Sequence, residues 1–87
     1  MVSYRIDWKE SARKEIKHID RGTLRRILDA VMSLGVNPRP DGCRKLAGAS
    51  MTYRIRVGQY RVVYTIEDDR LIVEIVRVGH RSSVDRA

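Results

Sequence analysis

The sequence predicts an α+β domain of order β-α-α-β-β-β, with a two-helix hairpin packed on one face of a small twisted antiparallel sheet. Three observations predict it. Apolar residues alternate at period two over residues 2–8 and again after residue 51. Between residues 12 and 34 they recur at helical spacing instead. Both prolines, with Gly42 and Gly48, fall in residues 36–50, which separates the helical half of the chain from the strand half.

The elements follow in order. Val2, Tyr4, Ile6 and Trp8 alternate with polar residues and define a half-buried first strand. Asp7 with Glu10 three residues later has the layout of a capping box, and Ala12, Ile16 and Ile19 continue as a first helix over about residues 9–19. Asp20 caps a second helix whose stripe is Leu24, Ile27, Leu28, Val31 and Leu34, and Gly35 stands where a left-handed C-terminal cap is wanted. Residues 36–50 read as one long loop carrying Arg39, Arg44 and Lys45. Residues 51–57, 59–67 and 71–78 are rich in Tyr, Val and Ile and read as an antiparallel meander. Its first turn is Gly58-Gln59, since glycine at the first central position suits a type II′ hairpin, and its second is Asp68-Asp69. No repeat or low-complexity stretch interrupts residues 1–87, which read as one domain.

Composition narrows the function. Among 87 residues, 18 Lys and Arg against 11 Asp and Glu leave a formal charge of +7, a field that attracts nucleic acid or an acidic partner. A chain this short has a thin core, so a partner protein adds useful stability. Cys43 is the single cysteine, which excludes a disulfide scaffold, and no Cys/His spacing suggests zinc. A reducing, cytoplasmic setting fits. The charged N-terminus, without a long apolar run, gives neither a secretory signal nor a membrane span.

The hairpin register carries the functional argument. A two-residue Gly58-Gln59 turn sets Val57 against Tyr60, Arg56 against Arg61, Ile55 against Val62, Arg54 against Val63 and Tyr53 against Tyr64. One face of the ribbon is then apolar. The other gathers Arg54, Arg56 and Arg61, with Arg56 and Arg61 directly opposed at a Cβ separation of about 5 Å. An Asp68-Asp69 turn would set Val63 against Glu74 and Arg61 against Val76, bringing one carboxylate into the row, too few for three guanidiniums. Like charges so placed oppose folding. A row of guanidinium forks, which donate paired hydrogen bonds and never lose their charge, suits a phosphodiester ligand. Trp8, Tyr53, Tyr60 and Tyr64 fit the core, Cys43 has no activating partner in the sequence, and His18 falls on the polar side of the first helix.

Three blocks now carry a likeness: Lys45-Leu46-Ala47-Gly48, then the run from Tyr53 to Tyr64, then Val76-Arg77-Val78-Gly79-His80-Arg81. In that order the chain resembles the RelE toxins of the RelE/ParE toxin-antitoxin superfamily over nearly its whole length. The resemblance implies a RelE-like fold and a ribosome-dependent mRNA endonuclease (mRNA interferase) that cuts the A-site codon without metal or cofactor. Attack by a ribose 2′-hydroxyl would leave a cyclic phosphate and a free 5′-hydroxyl. It also implies a RelB-like antitoxin with an acidic helical segment, and a toxin-antitoxin complex that binds operator DNA.

By the same resemblance Arg54, Arg56, Arg61 and Arg81 surround the scissile phosphate. Arg61 and Arg81 stabilise its charge, and one of them assists the leaving group. Arg54 and Arg56 stand where some relatives have lysines; a guanidinium with a pKa above about 12 is a poor proton acceptor. Asp85 stands near the position of a tail tyrosine found in many relatives, and either Asp85 or His80 would relay protons. Arg44 and Lys45 would reach RNA from the long loop. Two rival readings are a ParE-like DNA gyrase inhibitor, and a catalytically weak relative that binds antitoxin or RNA without cleavage.

Overall fold

The computed structural model describes residues 3–80. Its elements are β1 (Arg5–Trp8), α1 (Glu10–Ile16), α2 (Arg21–Leu34), β2 (Arg44–Lys45), β3 (Thr52–Val57), β4 (Tyr60–Glu67) and β5 (Ile72–His80). The five strands form one sheet in the order β1-β5-β4-β3-β2. The meander β3-β4-β5 is antiparallel, as alternation and short connections require. The sheet as a whole is mixed, because β1 runs parallel to β5, with Arg5 beside Ile72 and Trp8 beside Ile75. A parallel pair needs a crossover, and everything between β1 and β5 supplies it.

Both helices pack on one face. Ala12, Ile27, Val31 and Leu34 join Ile55, Val62, Tyr64, Ile66, Val73, Ile75 and Val78 in one buried cluster. Each fully buried aliphatic side chain in it contributes roughly 1.5–3 kcal/mol of transfer free energy. Leu28, expected on the core stripe, is 38% exposed. Among the described residues no helix is long and apolar enough to cross a membrane.

The structure revises three local expectations in the helices. The first helix is capped at Lys9, with no side-chain cap, and ends at Ile16 rather than 19. Asp7 cannot cap it, since β1 pairing runs through Trp8 and the Lys9 amide still donates to the Ile75 carbonyl at 2.9 Å. Asp7 instead accepts from the Arg5 guanidinium. Asp20 does cap α2, accepting from the Thr23 amide at 3.0 Å, which holds its carboxyl below the usual range. Gly35 is right-handed at φ −66° rather than left-handed. A Cβ there would lie 3.1 Å from the Tyr4 carbonyl oxygen and 3.3 Å from that of Met32, so its smallness seats the helix end against the chain entering β1.

The long loop is not wholly irregular. Arg44 and Lys45 form β2, paired antiparallel with Arg54 and Tyr53. The β4-β5 turn is also longer than two residues: Glu67 faces Ile72, Leu71 has φ 55°, and a bulge lies between Val63 and Tyr64. Asp68 is drawn out of a tight turn by three hydrogen bonds from two partners. Tyr4 Oη donates to it at 2.7 Å, and the Arg39 guanidinium donates both ends of its fork at 3.1 and 2.9 Å. Those bonds hold the Asp68 carboxyl down to about 2, Arg39 first and Tyr4 second.

Candidate functional site

The site begins at the β3-β4 turn. Gly58 has φ 60°, the left-handed value a type II′ turn asks of its first central residue. That bend fixes the expected register: Val57 faces Tyr60, Arg56 faces Arg61, Ile55 faces Val62, Arg54 faces Val63 and Tyr53 faces Tyr64. Ile55, Val62 and Tyr64 enter the core beneath the helices. By alternation Arg54, Arg56 and Arg61 share the face turned away from them. Arg56 is exposed, Arg54 half-buried, and Arg61 only 4% exposed. A cation so enclosed acts in a medium where its field is screened far less than in water.

The short strand β2 adds a fourth member. Arg44 stands opposite Arg54, so it continues the row across the sheet, while Lys45 stands opposite Tyr53 and belongs to the other alternation set. The sequence reads both as part of one long loop and does not separate them, because two residues are too few for a visible period.

Glu74 does not join the row. The longer second turn and the bulge set Glu74 against Thr65, Arg77 against Val63 and Gly79 against Arg61. Thr65 lies four residues beyond Arg61 on β4, about 13 Å along the strand. There Glu74, Asp7 and Glu67 line a cavity of about 170 Å³ together with Arg5 and Arg70. His80 pairs with Tyr60, and the two rings meet edge to face at 5.9 Å. The pairing puts His80 in the alternation set of Tyr60 rather than that of Arg61. Arg81 and Asp85 lie outside the described residues.

Two further features were not legible. Beside the row, Arg44, Arg54 and Arg56 line a cavity of about 510 Å³ whose other walls come from Ala30 and Ser33 of α2 and from Pro40, Asp41 and Gly42. The loop that supplies those residues is fastened at its start. Tyr64 Oη donates to the Pro38 carbonyl at 2.7 Å, Arg39 Nε donates to Tyr53 Oη at 3.3 Å, and the Arg39 guanidinium lies 5.2 Å from the Tyr53 ring centroid.

A meander beneath a two-helix layer is the architecture of a known toxin class. Residues 6–84 match the model of the ParE toxin of type II toxin-antitoxin systems, so the chain belongs to that family. Within it the chain is a RelE-type toxin. It is 31% identical to toxin RelG of Mycobacterium tuberculosis, covering 98% of this chain and 99% of that one. It is 27% identical to the mRNA interferase toxin RelE of Escherichia coli K12, covering 92% of this chain and 85% of that one. The fold matches the archaeal RelE-RelB complex from Pyrococcus horikoshii OT3 at a TM-score of 0.82 and 26% identity, over 93% of this chain and 98% of that one.

Proposed function

We propose that this toxin is a ribosome-dependent mRNA endonuclease, cutting in the A site by metal-free attack of a ribose 2′-hydroxyl on the adjacent phosphate, and that a RelB-like antitoxin restrains it. A relative bearing the name mRNA interferase and a structural neighbour solved with RelB support the two halves of this reading. The observation that carries it is the direct opposition of Arg56 and Arg61 beside Arg54. Cations set side by side in this way favour an anion placed against them.

The chemistry needs a base for the 2′-proton, cations for the charge gathering on the phosphate, and a proton for the departing 5′-oxygen. Arg61, nearly enclosed, and Arg81 stabilise the phosphate oxygens, and one of them assists the leaving group. Arg54 and Arg56 position the backbone, with Arg44 extending the track. None of these guanidiniums accepts a proton at neutral pH. The proton relay falls to either Asp85 or His80. Ribosome docking and operator binding by the antitoxin complex belong to the same reading.

Brief induction in a bacterial host followed by primer extension tests it. Codon-phased cuts that require translation are expected; DNA breaks with intact mRNA would establish gyrase inhibition instead. Replacing Arg61 and Arg81 together by Ala is expected to abolish growth inhibition with the fold intact. Undiminished toxicity in that double variant overturns the site.

A further inference from the structure

Among the described residues, three glycines have left-handed φ: Gly42 at 88°, Gly48 at 75° and Gly58 at 60°. A Cβ built on Gly42 or Gly48 meets nothing within 4 Å. At Gly58 the three nearest heavy atoms beyond the turn itself all belong to one side chain of α2: Arg26 Nη1 at 3.6 Å, Nη2 at 3.7 Å and Cζ at 3.9 Å. The Arg26 guanidinium therefore bounds the space over the β3-β4 turn at ordinary van der Waals distance.

The two sides of that approach are held with different firmness. Arg26 precedes Ile27, which is fully buried, and Val31 and Leu34 continue the buried stripe, so the core fixes where the Arg26 stem starts. The Asp20 cap holds the first turn of the same helix. Gly58 and Gln59, by contrast, are both exposed. The opposed pair Arg56 and Arg61 is the second rung of the ladder from this turn, so a tilt of the turn reaches it through a single intervening rung, Val57 with Tyr60. Arg26 arrives from the helix layer, whereas the row faces away from it. A ligand held on the row meets Arg56 and Arg61 and not Arg26.

We propose that Arg26 is a positioning residue for the arginine row: its guanidinium braces the β3-β4 turn from the helix layer and so holds Arg56 and Arg61 at the spacing a phosphate requires. The proposal rests on the nuclease reading of the row and adds a part played by the helices. Displacing the rung costs turnover more than binding, because the cations still attract a phosphate but no longer meet it in the geometry of the reaction. Arg25, the neighbouring exposed arginine, supplies the comparison. Its removal takes away the same charge, and it is not among the atoms nearest Gly58.

The test measures kcat and KM for cleavage on programmed ribosomes, together with the side-chain Nε–H signals of Arg56 and Arg61 in the full chain alone. Arg26→Ala is expected to lower kcat about tenfold and to change KM by less than about twofold. Arg26→Lys, which keeps a long stem, should recover most of that loss, and Arg25→Ala should leave both constants within about twofold of the wild type. The Arg26→Ala deficit should be the same at about 50 and 200 mM salt, since a brace is not screened as a field is. The two Nε–H signals should move in Arg26→Ala and stay in place in Arg25→Ala. That readout needs no cleavage, so a chain that cuts no RNA would sink the nuclease reading and leave the brace to be decided by the signals. An unchanged kcat in Arg26→Ala, an equal loss in Arg25→Ala, no recovery with Lys, a deficit that fades with salt, or arginine signals that stay in place would each overturn the assignment.

Discussion

The sheet face turned away from the helices treats arginine in opposite ways at its two ends. At the β1 end, Arg5 meets Asp7 at 3.1 Å and Arg70 meets Glu67 at 3.5 Å, with Glu74 close by. At the hairpin end, the ladder neighbours of Arg54, Arg56 and Arg61 are Arg44, Val63, Gly79 and one another. The first end mixes signs as an ordinary solvated face does. The second sets arginines beside one another along the sheet ladder. A local excess of one sign attracts anions, so the contrast supports the proposed site more sharply than the net charge does.

The contrast is broken most directly at Arg61. Arg61→Ala is expected to lower RNA cleavage by about 100-fold or more, the scale of losing one preorganised donor to a developing anion, while removing a like-charge opposition with Arg56. Single-turnover cleavage on programmed ribosomes measures the first part and thermal melting the second. A loss below about threefold would place the reacting phosphate elsewhere. The matched arginines should respond the other way. Glu15 accepts from Arg77 at 3.0 Å and from the Val78 amide at 2.8 Å, so Glu15→Ala leaves a part-buried amide unsatisfied. A loss of about 1–3 kcal/mol in denaturant unfolding is expected, with cleavage per folded molecule unchanged.

The same contrast explains what could be read from the chain. The Arg56–Arg61 opposition was legible because it depends on one glycine and a two-residue turn, both local. The position of Glu74 was not, since the second turn is reshaped by Tyr4 and Arg39, which lie 64 and 29 residues away from Asp68. Long-range partners also account for the parallel strand β1, the cap at Lys9 and the right-handed Gly35. Arg44 joined the site through a strand of two residues inside a Pro/Gly-rich segment, where periodicity has no room to show. The arginine row was therefore foreseen, and the cavity beside it was not.

Tyr64 sharpens the comparison from the matched side. Its ring stacks on Tyr53 at 6.0 Å and its hydroxyl reaches Pro38, so it ties the loop start to the sheet. Tyr64→Phe should cost about 1 kcal/mol, the net worth of one hydrogen bond, read from the shift in the urea midpoint. Burial pushes the Tyr64 phenol well above its ordinary 10.0. The folded state therefore keeps a proton that the unfolded chain gives up above about pH 10, and wild-type stability falls as pH rises through that value. The Phe variant should lose that part of the alkaline decline, and an unchanged slope would mean the hydroxyl is solvated.

The smallest effect is expected at Asp68, because its pair with Arg39 is 45% and 40% exposed and screened by solvent. Its folded carboxyl titrates near 2 against an ordinary 3.8, so between those values the unfolded chain binds more protons than the folded one. The contribution is therefore present above about pH 4 and is lost as pH falls toward 2. Thermal midpoints from pH 5 down to 2 should decline less steeply in Asp68→Asn than in the wild type, and about 1 M salt should narrow the gap between them. Parallel curves would mean that the Arg39 fork orders the loop without stabilising the fold. The Pro40–Gly42 wall of the cavity would then be held mainly by Tyr64 and the Pro38 carbonyl.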